Sequence, residues 1–389
     1  MQRRAMLIGI DARFALRERR GIGNYSLHLI RCLADASDAN RYVLYTDVAD
    51  TTGILPRKSN FRIKKLTSSN YIIWEQILLP LQAKKDNIDI LHCLANTAPI
   101  YFHYGLKLIS TIHDVSYLMP FSIMPRSPYI YQRLGRIYRK NIVPRSIKRA
   151  SSIITVSRFA KKDILSNIPF LTEEKISIIY EAMSGVFRVT DKGFARSFVK
   201  EKYNISGKYV LNVGGRDPQK NTAFLVKNFL ALKKAGAISE KLVIVGFSDY
   251  ADIDQCIVNS GIADEVIFID FAEENELVHL YNAAEIFIFP SLYESFGIPP
   301  LEAMACGTPV IASNTGAIPE IVGEAAMLIN PRGNEEFKAA ISVLLDDHIL
   351  RQELIRRGLE RVKKYSWVKM VRETLNVYET LRVTTQTSI

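Results

Sequence analysis

Short, continuously apolar runs alternate with stretches of helical periodicity over nearly the whole chain. Runs of this kind are typical of parallel strands that are buried on both faces between helices. Two such arrays follow one another, and they predict an α/β protein with two doubly wound, Rossmann-like parallel-sheet domains. The predicted strands are residues 7–10, 41–45, 88–93, 106–112, 152–156 and 175–180 in the first array, and 209–213, 241–245, 266–269, 286–289, 309–312 and 326–329 in the second.

The boundary between the two domains is predicted within residues 184–208, where no clean strand fits. A length of 389 residues agrees with two domains, since one domain commonly takes roughly 100–200 residues. We expect an N-terminal domain over residues 1–190 and a second domain over residues 205–365. Because ligands of such sheets bind beyond the carboxyl ends of the strands, a cleft between the domains is the expected site.

Composition argues against several classes of protein. No stretch approaches the ~18 consecutive apolar residues of a membrane-spanning helix, and the N-terminal apolar run is too short for a signal peptide. The four cysteines are widely spaced, without a Cys-x-x-Cys pair or a Cys/His cluster, which argues against disulfides and zinc. We therefore expect a cytoplasmic protein that is either soluble or bound at a membrane surface.

Basic charge is concentrated in the first half of the chain. The formal net charge is +11, yet residues 1–185 hold 28 Lys and Arg against 14 Asp and Glu. Residues 115–162 contain no acidic residue, and tyrosines interleave with their bases. Such a segment can bind anionic lipid head groups, the reading we favour; a solvated helix face and a nucleic-acid site are the alternatives, the latter without a supporting motif. The expected membrane or acceptor patch comprises Arg133, Arg136, Arg139 and Lys140.

Two features of the first half follow predicted strands. Gly21-Ile22-Gly23 comes after the first strand and opens a helix, so its backbone can approach a phosphate group, although an ordinary strand–helix turn is the alternative. His113 directly follows the strand 106–112 and points towards the expected cleft, with a purely structural histidine as the alternative. Both are candidates for contact with a substrate.

A basic turn follows the first strand of the second half. Two glycines allow the backbone to turn there, and Arg216 and Lys220 can converge on one anionic group such as a diphosphate.

Asp252 and Asp254 match an Asp-x-Asp metal pattern, but they open a predicted helix, where acidic residues suit the helix dipole. We therefore expect no metal site.

The most informative segment is the Gly/Pro-rich loop after the strand 286–289. Glu294 lies in this loop, and Glu302 lies eight residues later on a short helix. A carboxylate can accept hydrogen bonds from two vicinal hydroxyls, and a nucleotide sugar presents such hydroxyls on both of its sugars. The backbone N–H groups of three further residues face the same loop, namely Phe296, Gly297 and Ile298.

Taken together, these motifs resemble glycosyltransferase family 4, which comprises retaining nucleotide-sugar transferases of the GT-B fold. The resemblance covers essentially the whole chain and is strongest in residues 281–331, which include Phe-Pro-Ser-Leu-Tyr-Glu-Ser-Phe-Gly and Leu-Glu-Ala-Met-Ala-Cys-Gly-Thr-Pro-Val. Ile-Asp-Ala-Arg at 10–13, Trp-Glu-Gln at 74–76 and Ile-His-Asp at 112–114 are similar to a bacterial mannosyltransferase branch of polysaccharide and O-antigen assembly. The segment Ile-Tyr-Glu-Ala-Met-Ser-Gly-Val departs from the Asn-Gly-Val of many members.

For the second domain, the resemblance implies that donor recognition is shared among the candidates already named. Arg216 and Lys220 would hold the donor diphosphate. Glu294, with the backbone of Phe296 and Gly297, would hold hydroxyls of the transferred sugar. Glu302 would hold the ribose hydroxyls.

For the first domain, the resemblance implies contacts from the acceptor side. Gly21 and Gly23 would approach the phosphate and the sugar when the cleft closes, and His113 would touch the transferred sugar near its anomeric carbon. The last helix, within residues 366–389, would cross back to pack on this domain.

The activity implied by the resemblance is metal-independent retaining transfer of a hexose. The expected donor is GDP-mannose, with UDP-glucose as the alternative. The expected acceptor is a polyprenyl-diphosphate-linked saccharide or an oligosaccharide in O-antigen synthesis, used at the inner face of the cytoplasmic membrane. A transferase with a soluble acceptor is a second hypothesis, and a non-catalytic nucleotide-binding protein is a third.

Overall fold

The chain divides into two compact units, each built on its own parallel sheet. The computed structural model describes residues 5–17, 21–36, 38–121, 129–215, 217–246, 253 and 257–383. The first unit comprises Met1–Glu181 with Ser366–Ile389, and the second comprises Ala182–Tyr365. Arg216, Asp252 and Asp254 lie outside the described residues.

The first unit contains a seven-stranded parallel sheet with the strand order β3-β2-β1-β4-β5-β6-β7. Strand β1 pairs on one side with β2 and on the other with β4, so that Ile8 lies between Tyr42 and Ile90. The residues that follow β1, β4 and β5 therefore meet at one edge of the sheet. The strands are β1 (Leu7–Asp11), β2 (Arg41–Thr46), β3 (Phe61–Lys65), β4 (Ile90–Cys93), β5 (Lys107–Ile112), β6 (Ser152–Thr155) and β7 (Ile176–Ile178).

The second unit contains a six-stranded parallel sheet with the strand order β10-β9-β8-β11-β12-β13. Strand β8 lies between β9 and β11, so the turns that follow β8 and β11 lie side by side. Two successive parallel sheets confirm the predicted fold class. The strands are β8 (Tyr209–Val213), β9 (Lys241–Val245), β10 (Val266–Ile269), β11 (Ile286–Phe289), β12 (Val310–Ser313) and β13 (Met327–Ile329).

Helices connect the strands in both units. The helix that contains Trp74–Leu78 is π-helical over those residues and α-helical on either side of them. The described α-helices are α1 (Gly21–Asp35), α2 (Tyr71–Ile73), α3 (Leu79–Lys85), α4 (Ile130–Arg149), α5 (Arg158–Asn167), α6 (Lys192–Tyr203), α7 (Thr222–Lys234), α8 (Glu274–Ala283), α9 (Ile298–Ala305), α10 (Ile318–Val322), α11 (Asn334–Asp346), α12 (His348–Val362) and α13 (Trp367–Val383).

The first sheet is buried on both faces, as its apolar runs predict. Successive residues of β4 point to opposite faces, so Ile90 joins one hydrophobic cluster and Leu91 joins another. The cluster of Ile90 includes residues of α1 and α13, and that of Leu91 includes Val143 of α4. Helix α13 thus completes the core of the first unit, where Tyr378 is fully buried.

Helix α13 is also tied to the sheet through a buried histidine. The hydroxyl of Tyr378 lies 2.8 Å from His92 Nδ1, and Thr111 Oγ1 lies 2.8 Å from His92 Nε2. Burial, with a smaller effect from the charge of His113, lowers the pKa of His92 to about 3, so this ring is neutral. His92 therefore serves as a neutral bridge between β4, β5 and α13.

Strand β3 was not among the strands predicted from the sequence. Strand β3 alternates apolar and basic residues, as in Phe61-Arg62-Ile63-Lys64, because it is an edge strand with one solvated side. Helix α6 lies within the segment 184–208, in which the boundary between the domains was predicted, and buries Ala195 within the second unit. Strand β3 lacks the continuous apolar run by which the other strands were identified.

Candidate active site

Lys220 is held at the carboxyl edge of the second sheet by the turn that follows β8. Residues Pro218–Lys220 form a 3₁₀ turn, and Asn221 then takes a left-handed conformation with φ of 59°. The side-chain amide of Asn221 donates to the carbonyl oxygens of Pro290, at 3.1 Å, and Pro331, at 2.7 Å. These bonds fix the position of the turn relative to the loop after β11.

Glycine is required where this turn leaves the strand. A Cβ atom on Gly214 would lie 2.8 Å from Asn212 Oδ1 and 3.3 Å from Thr222 Oγ1. Since real Cβ contacts are almost never so short, a side chain at this position would displace its neighbours. The turn therefore brings bare backbone up to the edge where a phosphate is expected.

Glu294 is held from the other side by a close backbone approach. The N–H of Ala317 donates to the carbonyl oxygen of Glu294 at 2.9 Å. Gly316, with φ of 64°, packs so closely that a Cβ there would lie 2.7 Å from the same oxygen. The N–H of Leu292 also donates to the carbonyl oxygen of Gln219 at 2.7 Å, which joins the loop to the basic turn.

These two backbone arrangements bring Lys220 and Glu294 together. Lys220 Nζ lies 2.7 Å from Glu294 Oε1, and the side chains are 23% and 14% exposed. The ammonium group also lies 5.3 Å from the centroid of the Phe289 ring. The predicted ligand of the diphosphate and the predicted ligand of the sugar thus form one ion pair.

The next residues build the start of helix α9. Gly297 precedes the helix with φ of 105°, and a Cβ there would lie 2.4 Å from Ile318 Cδ1, so glycine is required. The side chain of Phe296 is buried, with its ring centroid 5.7 Å from that of Tyr365. Phe296 and Gly297 therefore offer backbone rather than side chains, and Ile298 is the first residue of α9.

Glu302 lies in the middle of α9 and is half-buried. Tyr281 of α8 donates its hydroxyl proton to Glu302 Oε2 at 2.9 Å. Burial raises the pKa of Glu302 from 4.5 to about 7, although the hydrogen bond from Tyr281 opposes this shift. A ligand that donates hydroxyl protons to this carboxylate would stabilise its ionised form.

Several buried polar atoms at the same edge have no hydrogen-bond partner among the described residues. They belong to or follow β8, β11 and β12. Buried polar groups are generally satisfied by protein, water or ligand, so this edge is suited to a polar ligand. The atoms are Asn212 Oδ1, Gln219 Oε1, Thr222 Oγ1, Ser291 Oγ and Ser313 Oγ.

His113 follows β5 in the first unit, where it is buried and bonded at both ring nitrogens. Nδ1 lies 2.9 Å from Glu181 Oε1, and Nε2 lies 2.9 Å from the carbonyl oxygen of Leu94. Since a carbonyl oxygen only accepts, Nε2 carries a proton. Burial lowers the pKa of His113, but the hydrogen bond and charge of Glu181 outweigh it and raise that pKa above 6.5. A hydrogen bond from either nitrogen to a substrate requires one of these contacts to break.

Gly21 and Gly23 lie in the first turn of α1. A Cβ on Gly21 would meet no atom within 4 Å, so packing within the first unit does not require glycine there. Gly21 is exposed, whereas Gly23 is buried. Their predicted approach to a phosphate stays a prediction.

Two short motifs of the sequence meet in a buried cluster that was not predicted. Arg13 Nη2 lies 2.7 Å from Asp11 Oδ2 and 2.9 Å from Glu75 Oε2, and all three side chains are at most 1% exposed. Glu75 also accepts protons from the hydroxyls of Thr97, at 2.6 Å, and Tyr138, at 2.7 Å. One carboxylate therefore connects the segments after β1 and β4 with helix α4.

Helix α4 carries the four predicted patch residues, of which Arg133 and Lys140 are exposed and Arg136 and Arg139 are half-buried. Arg136 lies 4.4 Å from the centroid of Phe121 and donates to the carbonyl oxygen of Tyr117 at 3.2 Å. The same helix exposes large apolar side chains, and the aliphatic ones among them were not identified from the sequence. These large apolar side chains are Ile130, Tyr131, Leu134 and Ile137, exposed by 72%, 67%, 63% and 58%.

The described residues contain no group of three or more His, Cys, Asp or Glu side chains able to hold a metal ion. Within the same part of the chain, no helix is long and apolar enough to cross a membrane.

The chain matches two family models, one in each half. Residues 19–183 match the model of glycosyltransferase family 4, and residues 195–361 match the model of glycosyl transferases group 1. Among curated relatives, it is 26% identical to O-antigen chain mannosyltransferase B of Escherichia coli, over 93% of this chain and 96% of the relative. It is 28% identical to O-antigen chain mannosyltransferase RfbU of Salmonella typhimurium, over 82% and 86%.

Solved structures show the same fold at low sequence identity. The sucrose-phosphate synthase of Thermosynechococcus elongatus is 20% identical, with a TM-score of 0.74 over 97% of this chain and all of that one. WaaG, a glycosyltransferase involved in lipopolysaccharide biosynthesis, is 14% identical, with a TM-score of 0.70 over 96% and 99%. These likenesses agree with the two parallel-sheet domains described above and confirm the predicted GT-B fold.

Proposed function

Because the chain belongs to glycosyltransferase family 4, we propose that it transfers mannose from GDP-mannose, with retention, to a lipid-linked saccharide of O-antigen assembly. The pairing of Lys220 with Glu294 at the carboxyl edge of the second sheet is the observation that carries the proposal. It places a cation next to a carboxylate that can accept hydrogen bonds from hydroxyls, as the diphosphate and the sugar of one donor require. The two O-antigen mannosyltransferases cited above support the choice of mannose.

The proposed chemistry exchanges one bond at the anomeric carbon. The bond from that carbon to the diphosphate oxygen breaks, and the acceptor hydroxyl oxygen bonds to the same carbon from the same face. The hydroxyl proton passes to the leaving diphosphate oxygen. Lys220 and Arg216 stabilise the negative charge that develops on the diphosphate without a metal ion.

The remaining candidates position the donor. Glu294 accepts hydrogen bonds from hydroxyls of the transferred sugar, beside the backbone of Phe296 and Gly297. Glu302 accepts hydrogen bonds from the hydroxyls of the ribose. In the first unit, Gly21 and Gly23 approach the phosphate, and His113 contacts the sugar near its anomeric carbon.

The lipid-linked acceptor is proposed from helix α4. This helix combines the predicted basic patch with apolar side chains such as Ile130 and Leu134, which are more than half exposed. A basic surface that also exposes apolar groups suits the interface of an anionic membrane. The protein would then act at the cytoplasmic face of the membrane, on an acceptor anchored in that membrane through a polyprenyl diphosphate.

Calorimetric titration tests the donor. The purified protein is titrated with GDP, UDP, GDP-mannose and UDP-glucose in a chelator that removes divalent metal ions. Selective binding of the guanosine ligands is expected. Preference for the uridine ligands would replace mannose by a glucose-type donor, and no binding of any of them would contradict the assignment of the second unit as a nucleotide-sugar site.

Release of the nucleoside diphosphate tests the transfer. The protein is incubated with the donor it binds, with and without a lipid extract that contains polyprenyl-diphosphate-linked saccharides. Release that depends on the extract, together with a new lipid-linked product, is expected. Equal release with a soluble oligosaccharide alone would favour a soluble acceptor.

A further inference from the structure

We propose that Glu294, through its ion pair with Lys220, makes the site prefer the intact nucleotide sugar over the free nucleoside diphosphate. This inference rests on the proposed function, and it concerns selection between donor and product. It starts from one contact, the 2.7 Å separation of Lys220 Nζ and Glu294 Oε1.

The pair is built into the fold and is not an incidental surface contact. Both side chains are largely removed from solvent, with 23% and 14% exposed. The turn of Lys220 is fixed by the two hydrogen bonds of Asn221, and the backbone of Glu294 is fixed by Ala317 and by the close approach of Gly316. These contacts hold the backbone segments that carry the two side chains next to each other.

A free diphosphate binds this pair at a disadvantage. Phosphate oxygens compete with Glu294 for the protons of Lys220, and a diphosphate held by Lys220 lies near the Glu294 carboxylate. Two anionic groups at close range in a partly buried site repel each other. The free diphosphate is also more negative than its sugar ester, because its terminal phosphate has one more ionisable oxygen.

The intact donor removes this disadvantage. Its sugar hydroxyls donate hydrogen bonds to Glu294. These bonds replace the one that Glu294 loses when Lys220 turns to the diphosphate. Hydrogen bonds to a charged carboxylate are stronger than those to a neutral amide. Glu294 therefore favours the nucleotide sugar and disfavours the product, which eases release of the product after each transfer.

Glu294→Gln separates these effects, because the amide keeps the shape of the side chain and removes its charge. We expect the nucleoside diphosphate to bind the variant about tenfold more tightly than the wild type, and the nucleotide sugar to bind it no more tightly. The preference for the nucleotide sugar then falls about tenfold or more. Lys220→Met should shift this preference in the opposite direction, because the diphosphate loses its cation while Glu294 keeps its charge.

The experiment is calorimetric titration of the full chain with the nucleoside diphosphate and nucleotide-sugar pair that the wild type binds. Glu285→Gln is the matched control. Glu285 is also 14% exposed and paired with a base, Arg196 at 2.6 Å, but it precedes β11, whereas Glu294 follows that strand. This control should keep the preference of the wild type.

The outcomes distinguish the inference from the proposed function. The inference is supported if Glu294→Gln binds the nucleoside diphosphate more tightly and has a reduced preference for the nucleotide sugar, while the Glu285→Gln control shows neither change. Equal weakening of both ligands, or an unchanged diphosphate affinity, overturns it while leaving the nucleotide-sugar site in place. If the wild type binds none of the nucleotides, the proposed function fails and the inference fails with it. Should Glu294→Gln not fold, an unchanged preference in Lys220→Met overturns the inference by itself.

Discussion

The raised pKa of Glu302 predicts that nucleotide-sugar binding depends on pH. Burial raises the pKa of this carboxyl from 4.5 to about 7, whereas ribose hydroxyls donate only to lone pairs that ionisation makes fully available. With that pKa, about a tenth of the protein has an ionised Glu302 at pH 6 and about nine tenths at pH 8. We therefore expect the Kd of the nucleotide sugar to be about tenfold higher at pH 6 than at pH 8.

Calorimetry with GDP-mannose measures this dependence more cleanly than calorimetry with GDP. Both phosphates of the sugar ester lack the second ionisation, near pH 6, of a terminal phosphate, so the ligand itself does not titrate over this range. Tyr281→Phe provides an internal check, because the lost hydrogen bond normally lowers the pKa of Glu302. The midpoint of the binding curve should then move to higher pH.

Glu302→Gln isolates the responsible group. Its amide does not titrate, so the variant should bind with one weak affinity from pH 6 to pH 8. A wild-type affinity that stays flat over this range would refute the reasoning. A variant that keeps the tenfold change would assign the dependence to another group.

Three further predictions concern catalysis, stability and membrane binding. Lys220→Ala should lower kcat/KM by an amount equivalent to about 2–4 kcal/mol, because a charged contact to the leaving diphosphate is lost; steady-state release of diphosphate measures it, and a change below about threefold would contradict the assignment. Gly316→Ala should destabilise the protein by at least about 2 kcal/mol in chemical denaturation, because a left-handed alanine is strained and its Cβ would lie 2.7 Å from Glu294 O, whereas Gly185→Ala, with no atom within 4 Å, should have little effect. Leu134→Ser should weaken flotation with anionic vesicles without lowering Tm, since this side chain is 63% exposed, and wild-type binding should fall as salt rises; equal binding to neutral vesicles would argue against the anionic surface.

The strands of the second sheet were the most predictable part of the fold. The bounds predicted for 209–213, 241–245 and 286–289 agree with β8, β9 and β11, because a strand buried on both faces has a continuous apolar run that ends where burial ends. Edge strand β3 has no such run, since its alternate residues face solvent. The apolar pattern therefore shows which residues are buried. It identifies a strand only where that strand is buried on both faces.

The candidate site was predictable only as far as strand order carries it. The strand-end rule correctly places the turn of Lys220 and the loop of Glu294 at one edge, since β8 and β11 are neighbours. The ion pair itself depends on the left-handed Asn221 and on the packing of Gly316, which lie in different loops. No spacing in the sequence encodes a contact across 74 residues of chain.

The same limit applies to the first unit. The motifs at 10–13 and 74–76 were recognised, but the ion pair between Arg13 and Glu75 needs two segments that are distant in sequence. Glu181 lies in the segment that departs from the family pattern, and its role as the partner of His113 had no signal in the sequence. Buried polar partners of this kind become visible only when the sheet brings their segments together.

The contact with Glu181 gives the proposed role of His113 a sharp test. Glu181→Gln keeps the shape of the partner and removes the charge that raises the pKa of His113 above its usual value. The ring should then lose its positive charge at lower pH, which NMR titration of its carbon-bound protons measures.

If the charged ring acts on the donor near its anomeric carbon, kcat should fall as rising pH removes the proton of the ring, and in Glu181→Gln this fall should begin at a lower pH than in the wild type. The Kd of the nucleotide should not change, because Lys220 and Glu302 lie in the other unit. A lowered pKa with kcat within about twofold of the wild type would show that the charge of His113 serves the fold of the first unit alone. A parallel loss of nucleotide affinity would instead mean that Glu181→Gln disturbs donor binding, and not catalysis alone.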